Sequence, residues 1–152
     1  MNKIKPEEIP DWYTVCMKSD CPVADHSLHQ LAMRLLTDRC NVIKIVNPML
    51  TQPSDKCQFY RTDEPQTYAR GFKNMQQEMI LHQYATFMCR LIGQFGRTGY
   101  FERRRGERLC SPRDIKLIEN VLEELGLKNL SFDKFEQKYN WDDCVLRRTP
   151  VL

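Results

Sequence analysis

The segment SPRDIKLIENVLEELGL, residues 111–127, constrains the fold of this chain more than any other part of the sequence. Ser111 is a typical N-cap, and Pro112 follows it at the first helical position, where proline is well tolerated. Gly126 supplies the left-handed residue at which helices commonly stop, and Leu127 packs behind it. The chain must therefore bury one face of a well-bounded helix. The apolar residues that recur at helical spacing predict this buried stripe: Ile115, Ile118, Leu122 and Leu125.

Three other segments have the spacing of a helix. Between Phe72 and Phe95 apolar residues recur on one face, which predicts the longest helix of the chain, weakened at its end by Gly93 and Gly96. Ser131 is expected to cap a last short helix. The apolar residues of that last helix are Phe132, Phe135 and Tyr139, with Trp141 folding back onto it. An earlier helix is predicted from its single apolar stripe of Leu28, Leu31, Ala32, Leu35 and Leu36.

Short segments rich in β-branched or aromatic residues predict a small sheet. The run NVIKIV, residues 41–46, is a candidate strand that ends at the following Asn-Pro pair. The run CQFYRT, residues 57–62, is a candidate partner strand. Residues 97–110 predict a loop or irregular hairpin around Gly106.

These elements predict an α+β fold that is mostly helical, with a small two- or three-stranded antiparallel sheet. Residues 1–152 are expected to form a single globular domain. Residues 1–20 are expected to be an extended lead-in that Trp12 and Tyr13 hold against the body of the domain.

Composition indicates a soluble protein of the cytoplasm. The chain is 41% hydrophobic and 28% charged, as globular domains are. Its N-terminus, MNKIKPEEIPDWY, lacks the apolar core of a secretion signal, and its longest apolar-leaning run, MILHQYATFMC, is too short to span a bilayer. The seven cysteines are therefore expected to be reduced thiols, and their odd number argues against a fully paired disulfide framework.

The stretch CMKSDCPVADHSLH, residues 16–29, brings together two cysteines and two histidines. A structural zinc ion takes four ligands, usually thiolates and imidazoles, and often from closely spaced pairs. Cys16 and Cys21 have such a spacing. His26 and His29 lie off the apolar stripe of the following helix, so neither is needed to fill the core.

A complete site needs a ligand from further along the chain. Cys40 is separated from His29 by roughly 16 Å of predicted helix, too far to share one ion with it. Cys57 is the better distant ligand. The sequence therefore predicts a metal site, with zinc as the candidate cofactor, or else reduced cysteines and solvated histidines that bind no metal.

The chain resembles an uncharacterised family of small bacterial proteins that opens with a Cys-x4-Cys-Pro segment. The likeness rests on CMKSDCPVADHSL, on the lone cysteine of CQFY, on RGF, on GERLCSP and on FDKFEQKYNW. In such a family four cysteines imply a zinc or iron–sulfur site. At the third of these positions this chain has Ser27, so the resemblance implies a site here only if His26 or His29 replaces that cysteine. The family implies no activity.

Positive charge is concentrated in one part of the chain. Residues 97–113 contain six arginines and two glutamates, a net charge of +4, whereas the whole chain has a net charge of +3. Arginine suits phosphates and carboxylates, and Tyr100 and Phe101 are placed to stack on bases. Nucleic acid or an acidic protein is therefore the candidate partner, with a solvated face or internal ion pairs as the alternative. The candidate residues are Arg97, Arg103, Arg104, Arg105, Arg108 and Arg113.

The sequence shows no complete catalytic motif. No serine or cysteine stands in a recognisable nucleophile motif, and no pair of carboxylates stands out from ordinary helix charge patterning. We therefore expect a non-enzymatic intracellular binding module, with zinc stabilising its N-terminal region and an arginine-rich surface for its partner. The alternative is an enzyme that uses the Cys/His cluster as a metal or thiol site.

Overall fold

The computed structural model of the protein describes residues 4–36, 40–49 and 56–141. The chain divides into two compact units, Met1–Pro65 with Tyr139–Leu152 (unit 1) and Gln66–Lys138 (unit 2). Each unit is described by itself, and the single domain expected from the sequence stays a prediction. Across the described ranges, none of the helices has the length and apolar character needed to cross a membrane.

In its described residues, unit 1 is built around one short helix. Two 3₁₀ turns, Pro6–Glu8 and Ala24–His26, precede helix α1, Leu28–Leu36, which confirms the helix predicted from the leucine stripe. The core of the unit joins residues from the lead-in to the buried face of α1. Its buried members are Ile9, Tyr13, Val15, Leu28 and Ala32.

Tyr13 fixes the lead-in to this core. Its ring stacks on His29, with ring centres 4.6 Å apart, and meets the edge of Trp141 at 4.9 Å. Trp141 also contacts the Tyr139 ring at 6.0 Å, a residue of the segment onto which the sequence predicts that it folds, although that segment is not a helix. Trp12, the other predicted anchor, is half-exposed and contributes less.

The strand predicted over residues 41–46 is wrong. Only Ile45 forms a β-bridge, and it is parallel, to Val15. The Val15 N–H donates to the Lys44 carbonyl (2.8 Å), and the Val46 N–H donates to the Val15 carbonyl (2.9 Å). Val42, one of the β-branched residues of this run, is 88% exposed, so the β-branched composition does not correspond to a buried strand face here.

The predicted partner strand, residues 57–62, does not pair with that segment in the described parts of the chain. Cys57 begins a turn in which the Tyr60 N–H donates to its carbonyl (2.9 Å). Thr62 forms an antiparallel bridge with Ser27, just before α1. The turn places Cys57 beside the start of a helix, whereas the sequence placed it on a returning strand.

Unit 2 combines a two-stranded sheet with three helices. Strand β1, Gln66–Arg70, pairs antiparallel with strand β2, Lys134–Lys138, in a register that sets Tyr68 opposite Glu136. Between them lie helices α2, Lys73–Gln77; α3, Leu81–Arg105; and α4, Pro112–Glu124. The predicted α+β fold, mostly helical with a small antiparallel sheet, is confirmed.

One aromatic cluster forms the centre of unit 2. Phe72 meets the rings of Phe87, Tyr100 and Phe132 at centre-to-centre distances of 5.7–6.4 Å. Burial raises the pKa of Tyr100 to about 12. Its hydroxyl therefore stays protonated and makes hydrogen bonds as a neutral group. Burial likewise raises the pKa of the Cys110 thiol to about 12, which makes Cys110 an inert core residue.

Helix α4 has the boundaries that the sequence predicted. The Ser111 side chain accepts a hydrogen bond from the Asp114 N–H (3.2 Å), and Pro112 is the first helical residue. Gly126 has φ of 73° and ends the helix, after which the Leu127 N–H donates to the Leu122 carbonyl (2.8 Å). Ile118 and Leu122 are buried, as the stripe required.

The final helix predicted from Ser131 is wrong, because the segment forms strand β2. The spacing of its aromatic residues fits a helix, but pairing with β1 decides the structure. The pairing includes an ion pair between Arg70 Nε and Glu136 Oε1 at 2.8 Å. The hydrogen bond from Arg70 lowers the pKa of Glu136 to about 2.

The long helix also differs from the prediction. Its first part is a separate short helix, α2, and α3 continues through Gly96 to Arg105, where the sequence predicted a loop. Gly96 has φ of 73° and ψ of 165°, a conformation almost reserved for glycine, so the helix is kinked there and not ended. Tyr100 and Arg103 are buried beyond the kink and hold the second half against the core.

Gly93 and Gly96 form a matched pair for testing this kink, since among the described residues a Cβ at either position would meet nothing within 4 Å beyond the adjacent backbone of its own helix. Gly96→Ala should lower the free energy of unfolding by about 1–3 kcal/mol, because alanine cannot adopt this backbone conformation without strain. Gly93→Ala should raise it by about 0.5–1 kcal/mol, as expected inside a helix. Urea unfolding followed by circular dichroism measures both. Effects of the same sign would contradict a kink that depends on glycine.

Candidate metal centre

Three thiols and one imidazole of unit 1 line the same cavity, which has a volume of about 30 Å³. Phe59 and Tyr60 close part of its wall. A space of this size holds about one small ion or water molecule. The polar or sulfur-bearing residues that line it are Cys16, Lys18, Cys21, Ser27, His29, Gln30, Cys57 and Tyr60.

Backbone hydrogen bonds gather these residues from three segments. The Cys16 N–H donates to the His29 carbonyl (3.1 Å), which ties the first segment to α1. The Leu28 N–H donates to the Arg61 carbonyl (2.8 Å), which ties the turn containing Cys57 to the start of the same helix. The cavity therefore forms where both flanking segments meet the first turn of α1.

His29 is held in one orientation. Its Nδ1 lies 2.5 Å from the Thr14 carbonyl oxygen, and a carbonyl can only accept, so Nδ1 carries the proton. In the neutral ring the lone pair is then on Nε2. A backbone carbonyl that fixes the tautomer in this way is the usual support of a metal-binding histidine.

His26, the other predicted histidine ligand, does not line this cavity. It belongs to the 3₁₀ turn that precedes α1, and its side chain is 72% exposed. Its Nδ1 lies 3.4 Å from Asp63 Oδ1, at the surface of the unit. Of the five predicted ligands, the structure brings together Cys16, Cys21, His29 and Cys57.

The donor set suits zinc, which prefers thiolates and imidazoles in structural sites. As the side chains stand, no three His, Cys, Asp or Glu residues in the described ranges are placed to hold one ion together. Binding therefore needs thiol side chains to turn into the cavity that they already line. Cysteine has a single side-chain torsion before its sulfur, so this movement is a change of rotamer.

Sequence reasoning missed one residue of this wall. Gln30 is 5% exposed, and its Nε2 donates to Cys16 Sγ at 3.5 Å and to the Lys18 carbonyl. The sequence feature that could have pointed to Gln30 is a glutamine placed just after His29 in a helix that is otherwise rich in leucine. Ser27, noted from the sequence only as a missing cysteine, also lines the cavity.

The predicted arginine surface is divided by the helix that carries it. Consecutive helical residues point about 100° apart, so Arg103, Arg104 and Arg105 point in three directions. Arg103 is 8% exposed, pairs with Asp114 at 3.1 Å and lies 4.1 Å from the centre of the Phe95 ring. Arg105 makes a two-bonded ion pair with Glu107 (2.7 and 2.9 Å).

The other candidate arginines lie nearer the surface. Arg104 is half-buried, and among the described residues nothing accepts a hydrogen bond from its Nε. Arg97 and Arg113 are exposed, with Arg97 lying 5.9 Å from the Phe101 ring centre. Arg108 is also exposed, 3.9 Å from Glu102. An anion-binding role for this set stays a prediction.

The fold and the site together define an α+β protein with a cysteine-lined cavity in its N-terminal unit. The chain belongs to a family of unknown function (DUF6078), whose profile matches residues 1–141. This confirms the resemblance to an uncharacterised family, while a bacterial source and the Cys-x4-Cys-Pro segment as a family feature stay predictions. No curated protein and no solved structure matches the chain significantly.

Substitutions at Arg103 and Arg105 compare a buried, structural arginine with an exposed one. Arg103→Ala should lower the free energy of unfolding by about 3 kcal/mol, because it leaves the largely buried Asp114 carboxylate without its partner. Arg105→Ala should change it by less than about 0.5 kcal/mol, since the pair with Glu107 is exposed. Chemical denaturation of the two variants beside the wild type measures this difference. Equal, small effects would show that Arg103 also belongs to the surface.

Proposed function

We propose that unit 1 is a zinc-binding module in which Cys16, Cys21, Cys57 and His29 hold one Zn²⁺ in a structural site. When bound, the ion would join the segments on both sides of α1 by strong ligand bonds. In this interpretation the protein is a non-enzymatic binding module whose N-terminal unit is stabilised by metal.

One observation carries the proposal: these four side chains come from three separate segments and line a single small cavity. Cys40 and Cys89 are exposed, and Cys110 is buried in unit 2. The three thiols of the cavity are only partly buried. Thiols that gather from distant positions beside a histidine of fixed tautomer are typical of a zinc site.

The packing around His29 favours a structural site over a catalytic one. His29 is 2% exposed, and its ring lies flat against the Tyr13 ring, with an angle of only 7° between the two planes. A catalytic zinc keeps a position open for water or substrate. A histidine sealed beneath an aromatic ring supports a closed set of four protein ligands, and it weighs against the alternative of an enzyme that uses this cluster.

The proposed partner of the module is nucleic acid or an acidic protein. With Arg103 and Arg105 held in ion pairs, a surface for nucleic acid or an acidic protein would depend on Arg97, Arg104, Arg108 and Arg113. These four arginines lie on different elements: α3, the connection after it, and the first turn of α4. We therefore rest the proposed function on the metal site.

Zinc content tests the proposal directly. Protein purified without a metal-affinity tag under reducing conditions should contain about one zinc per chain, and chelation should lower its melting temperature, because metal binding contributes to folding. Cys57→Ser should lose most of this zinc. Its zinc affinity should fall by more than the about 10–100-fold that follows from removing a residue that only supports a metal ligand.

Cys40→Ser is the matched control, since Cys40 is an exposed cysteine of the same unit. It should retain the wild-type zinc content and melting temperature. Elemental analysis and thermal unfolding with and without chelator provide both readouts. A wild-type protein with no zinc and no response to chelation would show that the cluster binds no metal. A brown protein with visible absorbance would point to an iron–sulfur site instead.

A further inference from the structure

The proposed site places a net negative charge inside unit 1. One Zn²⁺ with three thiolates and a neutral imidazole carries a net charge of −1, because the histidine adds none. In a partly buried site this charge needs compensation, both from Lys18, a basic residue that also lines the cavity, and from nearby N–H donors. Among the residues that line the cavity, Gln30 has a side-chain amide that donates to a ligand sulfur.

The orientation of the Gln30 amide is fixed by its partners. Nε2 carries two N–H donors, and it contacts two acceptors, Cys16 Sγ (3.5 Å) and the Lys18 carbonyl oxygen. The carbonyl can only accept, so the nitrogen and not the oxygen of the amide must face this loop. This single nitrogen therefore donates hydrogen bonds both to the sulfur of Cys16 and to the backbone carbonyl of Lys18, two residues later.

The backbone gives Gln30 its position. Its own N–H donates to the Ser27 carbonyl (3.1 Å) in the first turn of α1. The side chain then reaches the loop Cys16–Cys21, in which the Cys21 N–H donates to the Lys18 carbonyl (3.4 Å). Gln30 thus links α1 to both cysteines of the pair, to Cys16 through its sulfur and to Cys21 through the Lys18 carbonyl.

Resting on the proposed zinc site, we infer that Gln30 is a positioning residue of that site, which orients the Cys16 thiolate and tunes its donor strength through an N–H···S hydrogen bond. Gln30 is not itself a ligand in this arrangement. Its removal should weaken zinc binding about 10–100-fold, the usual cost of losing a residue that supports a metal ligand.

Gln30→Leu tests this inference, with Gln77→Leu, an exposed glutamine of helix α2, as the matched control. Leucine favours the helix and fills the buried volume but donates no hydrogen bond. Zinc affinity is measured by competition with a chromophoric chelator. The same proteins loaded with Co²⁺ report the energy of the thiolate-to-metal charge-transfer band, which depends on the electron density of the bound sulfur.

The expected result is a 10–100-fold loss of zinc affinity in Gln30→Leu and a charge-transfer band shifted to lower energy, since a thiolate without its N–H donor is the stronger electron donor. Gln77→Leu should match the wild type in both measurements. A loss of affinity with an unmoved band would mean that Gln30 only holds the Lys18 loop, and unchanged affinity would mean that it does not support the site. Either result overturns the inference while the zinc site stands.

A metal-free measurement separates this inference from the proposed function. In the NMR spectrum of the metal-free protein, the side-chain amide protons of Gln30 should shift on Cys16→Ala and not on Cys40→Ala. A wild-type protein that binds no Co²⁺ would overturn the zinc site, and with it any role of Gln30 in positioning a metal ligand. Amide protons that do not respond to Cys16→Ala would overturn the inference even if metal binds. Should Gln30→Leu fail to fold, this measurement still decides.

Discussion

The arrangement of unit 1 depends on the hydrogen bonds that the first turn of α1 makes with the segments on both sides of it. A helix start leaves N–H groups without helical partners, and here the Leu28 N–H donates to the Arg61 carbonyl. The His29 carbonyl accepts from the Cys16 N–H in turn. Because the same turn carries His29 and Gln30, whatever orders this turn also orders the wall of the cavity. The hydrogen bonds that order this part of unit 1 therefore also position the residues of the candidate site.

In unit 2, charged side chains also hold neighbouring elements together. The Asp133 carboxylate accepts hydrogen bonds from the N–H groups of Lys73 and Asn74 (both 3.0 Å), which ties the start of β2 to the first turn of α2. Arg103 pairs with Asp114, so that one buried ion pair joins α3 to α4. The arginines of this unit are thus partly structural, since Arg103 and Arg105 are held in ion pairs.

Features with local determinants could be predicted from the sequence. Helix α4 has its cap at Ser111, its stop at Gly126 and its buried stripe within one segment, so its boundaries were predictable. Strand β2 was not, because Phe132, Phe135 and Tyr139 fit a helical period while pairing with the distant β1 decides the structure. The second half of α3 was missed because Gly96 bends a helix where glycine more often ends one.

The residues of the candidate site likewise divide into those that the sequence predicts and those whose role depends on the fold. Residue type was enough to suggest Cys16, Cys21 and Cys57 as ligands. The distinction between His26 and His29 depends on a 3₁₀ turn that ends just before α1 and leaves His26 at the surface. The role of Gln30 depends on a loop that folds back against the helix, and no spacing rule contains that information.

The central claim is that three thiolates and one imidazole of unit 1 bind the same ion. X-ray absorption at the zinc edge of the zinc-loaded protein tests this claim most directly. The proposed site predicts three sulfur neighbours of the zinc ion at about 2.3 Å and one nitrogen neighbour at about 2.0–2.1 Å. A first shell of nitrogen and oxygen alone would contradict it, because the cysteines of the cavity would then not be ligands.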